Sequence, residues 1–249
     1  MRIAVIADIH GNALALEAVL ADIERRAVDR VINLGDVVSG PLWPRQTMEL
    51  LSGRDWTTIR GNHDRWVAGN DHGAMGASDR FAVGELHAGH RYWLSTLPKN
   101  QDIGDGILAF HAMPDDDNAY LVEEVHDRQL IRGSIAGIRR RLGDVTARIV
   151  LCGHSHLPHL IQLPDGPLIL NPGSVGCPAY DDLGADEPHV SEARSPHARY
   201  AVLTIDGDRV SVEMIALNYG GETAAQQAER NGRSEWAHAL RTGFMPGSV

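Results

Sequence analysis

The chain has 249 residues, and its 43% hydrophobic and 22% charged content is that of a globular protein with a sizeable core, not of a disordered or fibrous one. No apolar run approaches the roughly 20 residues that a membrane-crossing helix needs, and the first eight residues reach a carboxylate too early for a secretory signal. A formal charge of −10 disfavours a protein that coats long nucleic acid.

Two cysteines, Cys152 and Cys177, cannot build a disulfide framework, so a cytoplasmic location is expected. Histidine occurs 13 times, an unusual supply of a side chain suited to proton transfer and metal ligation.

Short β-branched runs alternate with helical patterns through the first two-thirds of the chain. Residues 3–7 read as a buried strand. Leu16, Val19, Leu20, Ile23 and Ala27 then recur at helical spacing behind Asn12, a suitable N-cap. Residues 31–34 form the next strand, and Pro44 suits the first turn of a helix carrying Met48, Leu50 and Leu51. A third strand is expected over 56–59. One long helix is expected after Ser78, with Phe81, Leu86, Tyr92 and Leu94. Residues 107–110 are again a strand. Residues 138–142 belong to a helix whose Arg139, Arg140 and Arg141 read as a solvated face.

The last third reads as strands at 148–151, 160–163, 168–170, 200–205 and 210–217, with a hairpin turn at Asp206-Gly207-Asp208. Residues 181–195, acidic and without periodicity, read as an exposed loop. The tail beyond Gly220 reads as helical. With no internal repeat and no linker, a single domain spanning 1–249 is expected: an α/β fold of two packed mixed β-sheets with helices outside.

Five of these strands end in chemically capable residues. The first runs into Asp8-Ile9-His10, the second into Gly35-Asp36, and the third into Gly61-Asn62-His63-Asp64. The strand at 107–110 meets His111, and the one at 149–152 meets Gly153-His154-Ser155-His156. Alone, each is ordinary: a helix cap, a turn, a surface histidine. In an open α/β sheet, however, groups just beyond the carboxyl ends of neighbouring strands converge on one crevice. The set offers carboxylate and amide oxygen and imidazole nitrogen without thiolate. That suits Mn, Fe or Zn, and there are enough donors for two ions about 3.5–4 Å apart.

The ordered blocks D-x-H, G-D, G-N-H-D, a later H and G-H-x-H, from Asp8 to His156, resemble those of the calcineurin-like metallophosphoesterase superfamily. The resemblance implies a four-layer αββα sandwich and two divalent metal ions as cofactors. It implies that Asp8, His10 and His156 hold one metal, that Asp36 bridges, and that Asn62, His111 and His154 complete the second site. It places His63 at the scissile phosphate as a catalytic group with Asp64 orienting its ring. It further implies in-line attack by a hydroxide shared between the metals, without a covalent intermediate.

An acidic residue plus Arg-Gly, expected of Ser/Thr protein phosphatases after the second block, is replaced by Val37-Val38-Ser39-Gly40-Pro41. Arg60 and Arg65 are the candidates to bind substrate in its stead. The runs Gly35–Pro41, His111–Pro114 and Asn171–Gly176 look like the small prokaryotic phosphodiesterase branch. The last of these also reads as a tight turn, and Trp43 and Met113 read as core. The expected partner is a small phosphoester, with neither membrane nor long nucleic acid, and the sequence does not indicate an oligomeric state. The competing functions are a phosphomonoesterase or dinucleoside-polyphosphate hydrolase on the same metals, and, from a different class, a non-catalytic interaction scaffold.

Overall fold

Alternation along the first strand sets the layering of the molecule. In the computed structural model, which describes residues 1–69, 73 and 75–247, β1 (Arg2–Ile6) sends Ile3 and Val5 into one apolar cluster and Ala4 and Ile6 into another. Successive strand side chains leave opposite faces, so a strand with both faces apolar is sandwiched. α1 (Ala13–Arg25) follows, its first turn closed by Asn12 Oδ1 accepting from the Ala15 amide at 3.2 Å. Its stripe of Leu16, Val19, Leu20 and Ile23 packs with Ala4 and Ile6 in the outer cluster.

β2 (Arg30–Asn33) and β3 (Thr57–Thr58) continue the sheet in parallel, and α2 (Pro44–Leu51) lies between them in sequence, with Pro44 at its first position, where no intrahelical amide is lost. α3 (Asn62–Ala68), α4 (Ala77–Glu85) and α5 (Ala88–Thr96) come next. The single long helix expected after Ser78 is thus two. Leu86 and His87 are extended, and the His87 ring accepts from the His90 amide at 3.2 Å, starting α5 afresh. Tyr92, expected on the apolar stripe, is 72% exposed.

β4 (Asn100–Gly104) and β5 (Ile107–Phe110) form a hairpin, as do β6 (Glu123–His126) and β7 (Gln129–Arg132). α6 (Ile135–Leu142), β8 (Ile149–Leu151), β9 (His159–Gln162) and β10 (Leu168–Asn171) follow. β11 (Ala179–Asp182), β12 (His189–Glu192), β13 (Ala198–Asp206) and β14 (Arg209–Leu217) lead to α7 (Gly221–Arg230) and α8 (Ser234–Thr242). The β13–β14 hairpin turns at Gly207-Asp208, with Gly207 in the left-handed region at φ 57°.

Two five-stranded mixed sheets, ordered β14-β13-β1-β2-β3 and β4-β5-β8-β10-β9, share an interior of Ile3, Val5, Ile32, Leu34, Ile107, Ile149, Leu151 and Leu203. α1 packs on the outer face of the first sheet, and Ile138 and Leu142 of α6 on the outer face of the second, against Phe110, Val150 and Ile169. This is the expected pair of packed mixed sheets flanked by helices.

A third sheet, ordered β11-β12-β7-β6, goes beyond the expectation. It takes in 181–182 and 189–192 of the segment 181–195, which is therefore not simply an exposed loop. Its strands carry buried polar groups instead of apolar alternation. Ser191 Oγ donates to the Ser155 carbonyl at 2.5 Å, and Glu192 accepts from the Met245 amide at 2.8 Å. Periodicity has nothing to report in strands held that way.

Candidate metal centre

Each block sits just past a strand end, and its backbone is bent to aim inward. Asp8, His10, Asp36, His154 and His156 all have left-handed φ, at 56°, 50°, 55°, 69° and 61°. For residues with a Cβ this costs about 1–2 kcal/mol each, so the surrounding structure must hold them there. It does so by lashing the loops together: His10 N donates to Asp36 O at 3.0 Å, Asp8 N to Gly35 O at 3.0 Å, and Gly153 N to His111 O at 2.7 Å. Gly61 allows a close approach to a candidate ligand, since a Cβ there would lie 2.1 Å from Asp36 Oδ1.

The buried donors fall into two groups, Asp8 with His10 and His156, and Asp36 with His111 and His154; in each, the facing atoms lie within 4.8 Å of one another. His10, His111 and His156 each direct Nδ1 at a main-chain carbonyl, of Ser39 (2.6 Å), Leu34 (2.8 Å) and Cys177 (2.7 Å). A carbonyl only accepts, so Nδ1 carries the proton and Nε2 is left as a bare lone pair pointing inward. His10 Nε2 and His156 Nε2 face each other at 3.0 Å, a pairing with no proton between them that makes sense as convergence on a common cation. His154 directs Nε2 at the Asn118 carbonyl, 3.2 Å away, which leaves its Nδ1 as the free nitrogen.

Asp8 Oδ1 is buried with no hydrogen-bond partner among the described residues, 3.7 Å from His156 Nε2. Asp36 Oδ2 reaches both groups, 3.8 Å from His10 Nε2 and 3.2 Å from His111 Nε2, while Asn62 Oδ1 is 3.1 Å from His111 Nε2.

The electrostatics agree with a site built for cations. Burial pushes the Asp8 carboxyl up to about 8, with Asp36 adding to the shift and His111 opposing it. Burial also lowers His10 to about 4 and His154 to about 3, keeping both imidazoles in the neutral form that binds metal. His111 is the exception: Asp36 outweighs its burial and raises it to about 10. With no cation beside it, Nε2 holds a proton shared with that carboxylate, which a bound metal would displace. An unpaired carboxylate oxygen, inward lone pairs and neutral imidazoles together fit two divalent ions.

His63 lies beside the two groups, its ring edge-on to that of His10 at a centroid distance of 5.4 Å. Burial disfavours its charged form, but Asp36 and Asp79 outweigh that and raise it to about 9. The residue that orients the ring is Asp79, whose Oδ1 is 2.7 Å from His63 Nδ1, and this corrects the expectation for Asp64. Asp64 instead accepts from the backbone amides of Asp36, Val37 and Gly61 at 2.8–2.9 Å, pinning the second block to the third. As the third residue of α3, its carboxylate is turned back over the helix start, away from the ring that precedes it.

Asp79 had no motif to mark it; it is the third residue of α4, where it also accepts from the Gly76 amide at 2.8 Å and from Ser39 Oγ at 2.7 Å.

The cleft over these groups has a volume of about 750 Å³. Arg60 and Arg65 are not among the residues that line it, so the structure does not place them against a substrate. Arg65 is instead taken up by a two-pronged bond to Asp117, at 2.7 and 2.8 Å. The arginine that does line the cleft is Arg233, from the turn before α8, and it is ion-paired to Glu235. Trp66, Tyr120, Tyr180 and Trp236 supply aromatic walls, and Asp181, Asp182 and Asp186 from the acidic segment form part of the lining.

The run 171–176 is more than a turn. Asn171 Nδ2 donates to Gly153 O at 2.8 Å and Ser174 Oγ to Asp8 O at 2.7 Å, so it braces the first block against the last. Trp43 and Met113 pack on apolar clusters, as expected.

The family model for the calcineurin-like phosphoesterase superfamily domain matches residues 1–208. The chain belongs to that superfamily. Solved structures resemble this chain over nearly its whole length. One is a metallophosphoesterase of Sphaerobacter thermophilus, with 26% identity, 98% and 99% of the two chains covered, and a TM-score of 0.72. Another is a hypothetical protein of Pyrococcus horikoshii OT3, with 21% identity, the same coverage and a TM-score of 0.75. Among curated sequences, an uncharacterised protein of Methanocaldococcus jannaschii is 24% identical over 251 residues, with 94% of each chain covered. Membership implies divalent metals, and the two donor groups are where this chain could hold them. Among the described residues no helix is long and apolar enough to cross a membrane.

Proposed function

We propose that this chain is a two-metal phosphoesterase that hydrolyses small phosphodiesters. The observation that carries the proposal is the convergence of the two buried donor groups on one cleft, with Asp36 reaching both and His63 beside them. Two divalent ions bound there would supply charge neutralisation for a phosphoryl group and activation of the attacking water.

The residues of the chain do the rest. The Asp36 carboxylate, within reach of both groups, offsets the repulsion between neighbouring cations. Asp79 holds His63 Nδ1, so the ring is fixed with Nε2 available to protonate the departing oxygen. Ser39 Oγ, donating to Asp79, keeps that carboxylate in place.

Two features favour a diester, one against a monoester and one against a polyphosphate. A monoester is a dianion near neutral pH and gains from an added cationic clamp, yet the arginine among the described residues of the cleft lining, Arg233, is already paired to Glu235. The acidic rim also disfavours polyphosphates.

A panel of 4-nitrophenyl phosphate, bis(4-nitrophenyl) phosphate and a dinucleoside polyphosphate, assayed with Mn²⁺, tests the reading. The diester is expected to give the highest kcat/KM. A monoester or polyphosphate preferred by tenfold or more would overturn the assignment of substrate class. Absence of turnover on all three in metal-loaded protein would favour the scaffold.

A further inference from the structure

Four of the five tryptophans have a packing role. Trp56 and Trp93 lie against the cluster under α1, and Trp43 and Trp236 against the one that includes Leu42 and Leu240. Trp66 belongs to no apolar cluster among the described residues, although it is half-buried and lines the cleft. A large apolar side chain left on a cleft wall without a core to join calls for another explanation.

Its position supplies one. Trp66 sits one helical turn after His63 on α3, and the two rings meet edge-to-face with centroids 4.8 Å apart and planes at 85°. Ring contacts then continue from His63 to His10 at 5.4 Å and from His10 to Trp236 at 6.2 Å, so an indole flanks each end of this row. Because His63 is the group placed to protonate the leaving oxygen, the indole against it borders the space that the substrate's organic part must occupy. Arg65, which does not itself line the cleft, is held by its bond to Asp117 with its guanidinium 5.5 Å from the Trp66 ring centroid, a contact that restrains the indole.

We propose that Trp66 is a specificity-determining residue, giving the flat, conjugated organic group of an aryl- or heteroaryl-bearing phosphoester a face to pack on. This inference rests on the phosphoesterase reading above and adds the class of organic group selected.

The test uses binding, with full-length Mn²⁺-loaded protein and two non-hydrolysable probes that differ only in their organic part, phenylphosphonate and methylphosphonate. Wild type is expected to bind the phenyl compound about tenfold more tightly, the upper range for an aromatic contact. Trp66→Ala is expected to reduce that ratio to about twofold or less while methylphosphonate affinity and metal content stay within about twofold. Trp66→Phe should recover most of the preference. An unchanged ratio in Trp66→Ala overturns the proposal, as does an equal loss for both probes, which would mark Trp66 as a support for His63. Should Trp66→Ala fail to fold, Trp66→Met makes the same comparison with volume retained. If neither probe binds metal-loaded wild type and no diester is turned over, the phosphoesterase reading itself falls. Turnover with no phenyl preference removes the Trp66 assignment alone.

Discussion

An imidazole that must hand a proton to a departing alkoxide has to be held by its other nitrogen, and here Asp79 does the holding at 2.7 Å. Asp64, next in sequence to His63, is committed to three backbone amides. The two carboxylates should therefore fail differently. Asp79→Asn is expected to lower kcat on a diester by about 10²-fold with metal content unchanged, and His63→Gln by about 10²–10⁴. Asp64→Ala strands buried donors at about 1–3 kcal/mol apiece, so it should appear first as a loss of stability in urea titration. A kinetic defect without destabilisation in Asp64→Ala, together with a silent Asp79→Asn, would restore Asp64 to the orienting role.

A third carboxylate, Asp22, ties α1 to β13. Burial would raise the Asp22 pKa, but hydrogen bonds from Tyr200 and Arg26 outweigh that and lower it. A depressed carboxylate contributes stability that is fully present above its unfolded value near 4 and is lost as pH falls through the lower folded value. Asp22→Asn should accordingly destabilise the protein at pH 7, with the difference from wild type shrinking below about pH 4. A difference independent of pH would assign the effect to packing.

At the scale of the element, the site is a property of loops forced into unfavourable backbone by their neighbours. Five candidate ligands in left-handed conformation follow strands β1 and β2, neighbours in the first sheet, and β8 of the second, and the two sheets meet here where the His154 amide donates to Asp8 Oδ2 at 3.1 Å. Gly61 shows how little room is left. A methyl group there would collide with the Asp36 carboxylate. Gly61→Ala is thus expected to displace Asp36 and reduce bound metal, measured by elemental analysis, even if the chain still folds. Full metal content in that variant would mean that the α3 loop gives way more easily than the geometry indicates.

Elements with apolar periodicity were legible from sequence, as α1 with its Asn12 cap and the strands that deliver Asp8, Asp36, His111 and His154 illustrate. The blocks were legible because their residue types are chemically unusual at strand ends. What escaped was held by polar bonding. Asp79 looks like any helix cap, β11 and β12 bury Ser191 and Glu192 instead of alternating, and the break between α4 and α5 is made by a histidine ring. Arg60 and Arg65 do not line the cleft for a related reason: proximity in sequence to the third block does not say where a side chain points, whether it precedes α3, as Arg60 does, or lies on it, as Arg65 does.

At the scale of the whole molecule, two sheets sharing an apolar interior give the rigid frame on which these strained loops can be held. The third sheet and α8 close over one side of the cleft, contributing Tyr180, Asp181, Glu235 and Trp236 to its walls. A formal charge of −10 does not describe the cleft floor, where two bound dications would outweigh Asp8 and Asp36 and leave a locally positive mouth for an anionic ester. The central claim is that both donor groups hold metal and that turnover depends on them through Asp36. The direct measurement is elemental analysis of wild type and Asp36→Asn, each loaded with Mn²⁺, coupled to diester hydrolysis. The account predicts about two ions per chain in wild type, a marked loss of bound metal in Asp36→Asn, and loss of nearly all turnover with it. Fewer than one ion per wild-type chain, or undiminished hydrolysis by Asp36→Asn, would contradict it.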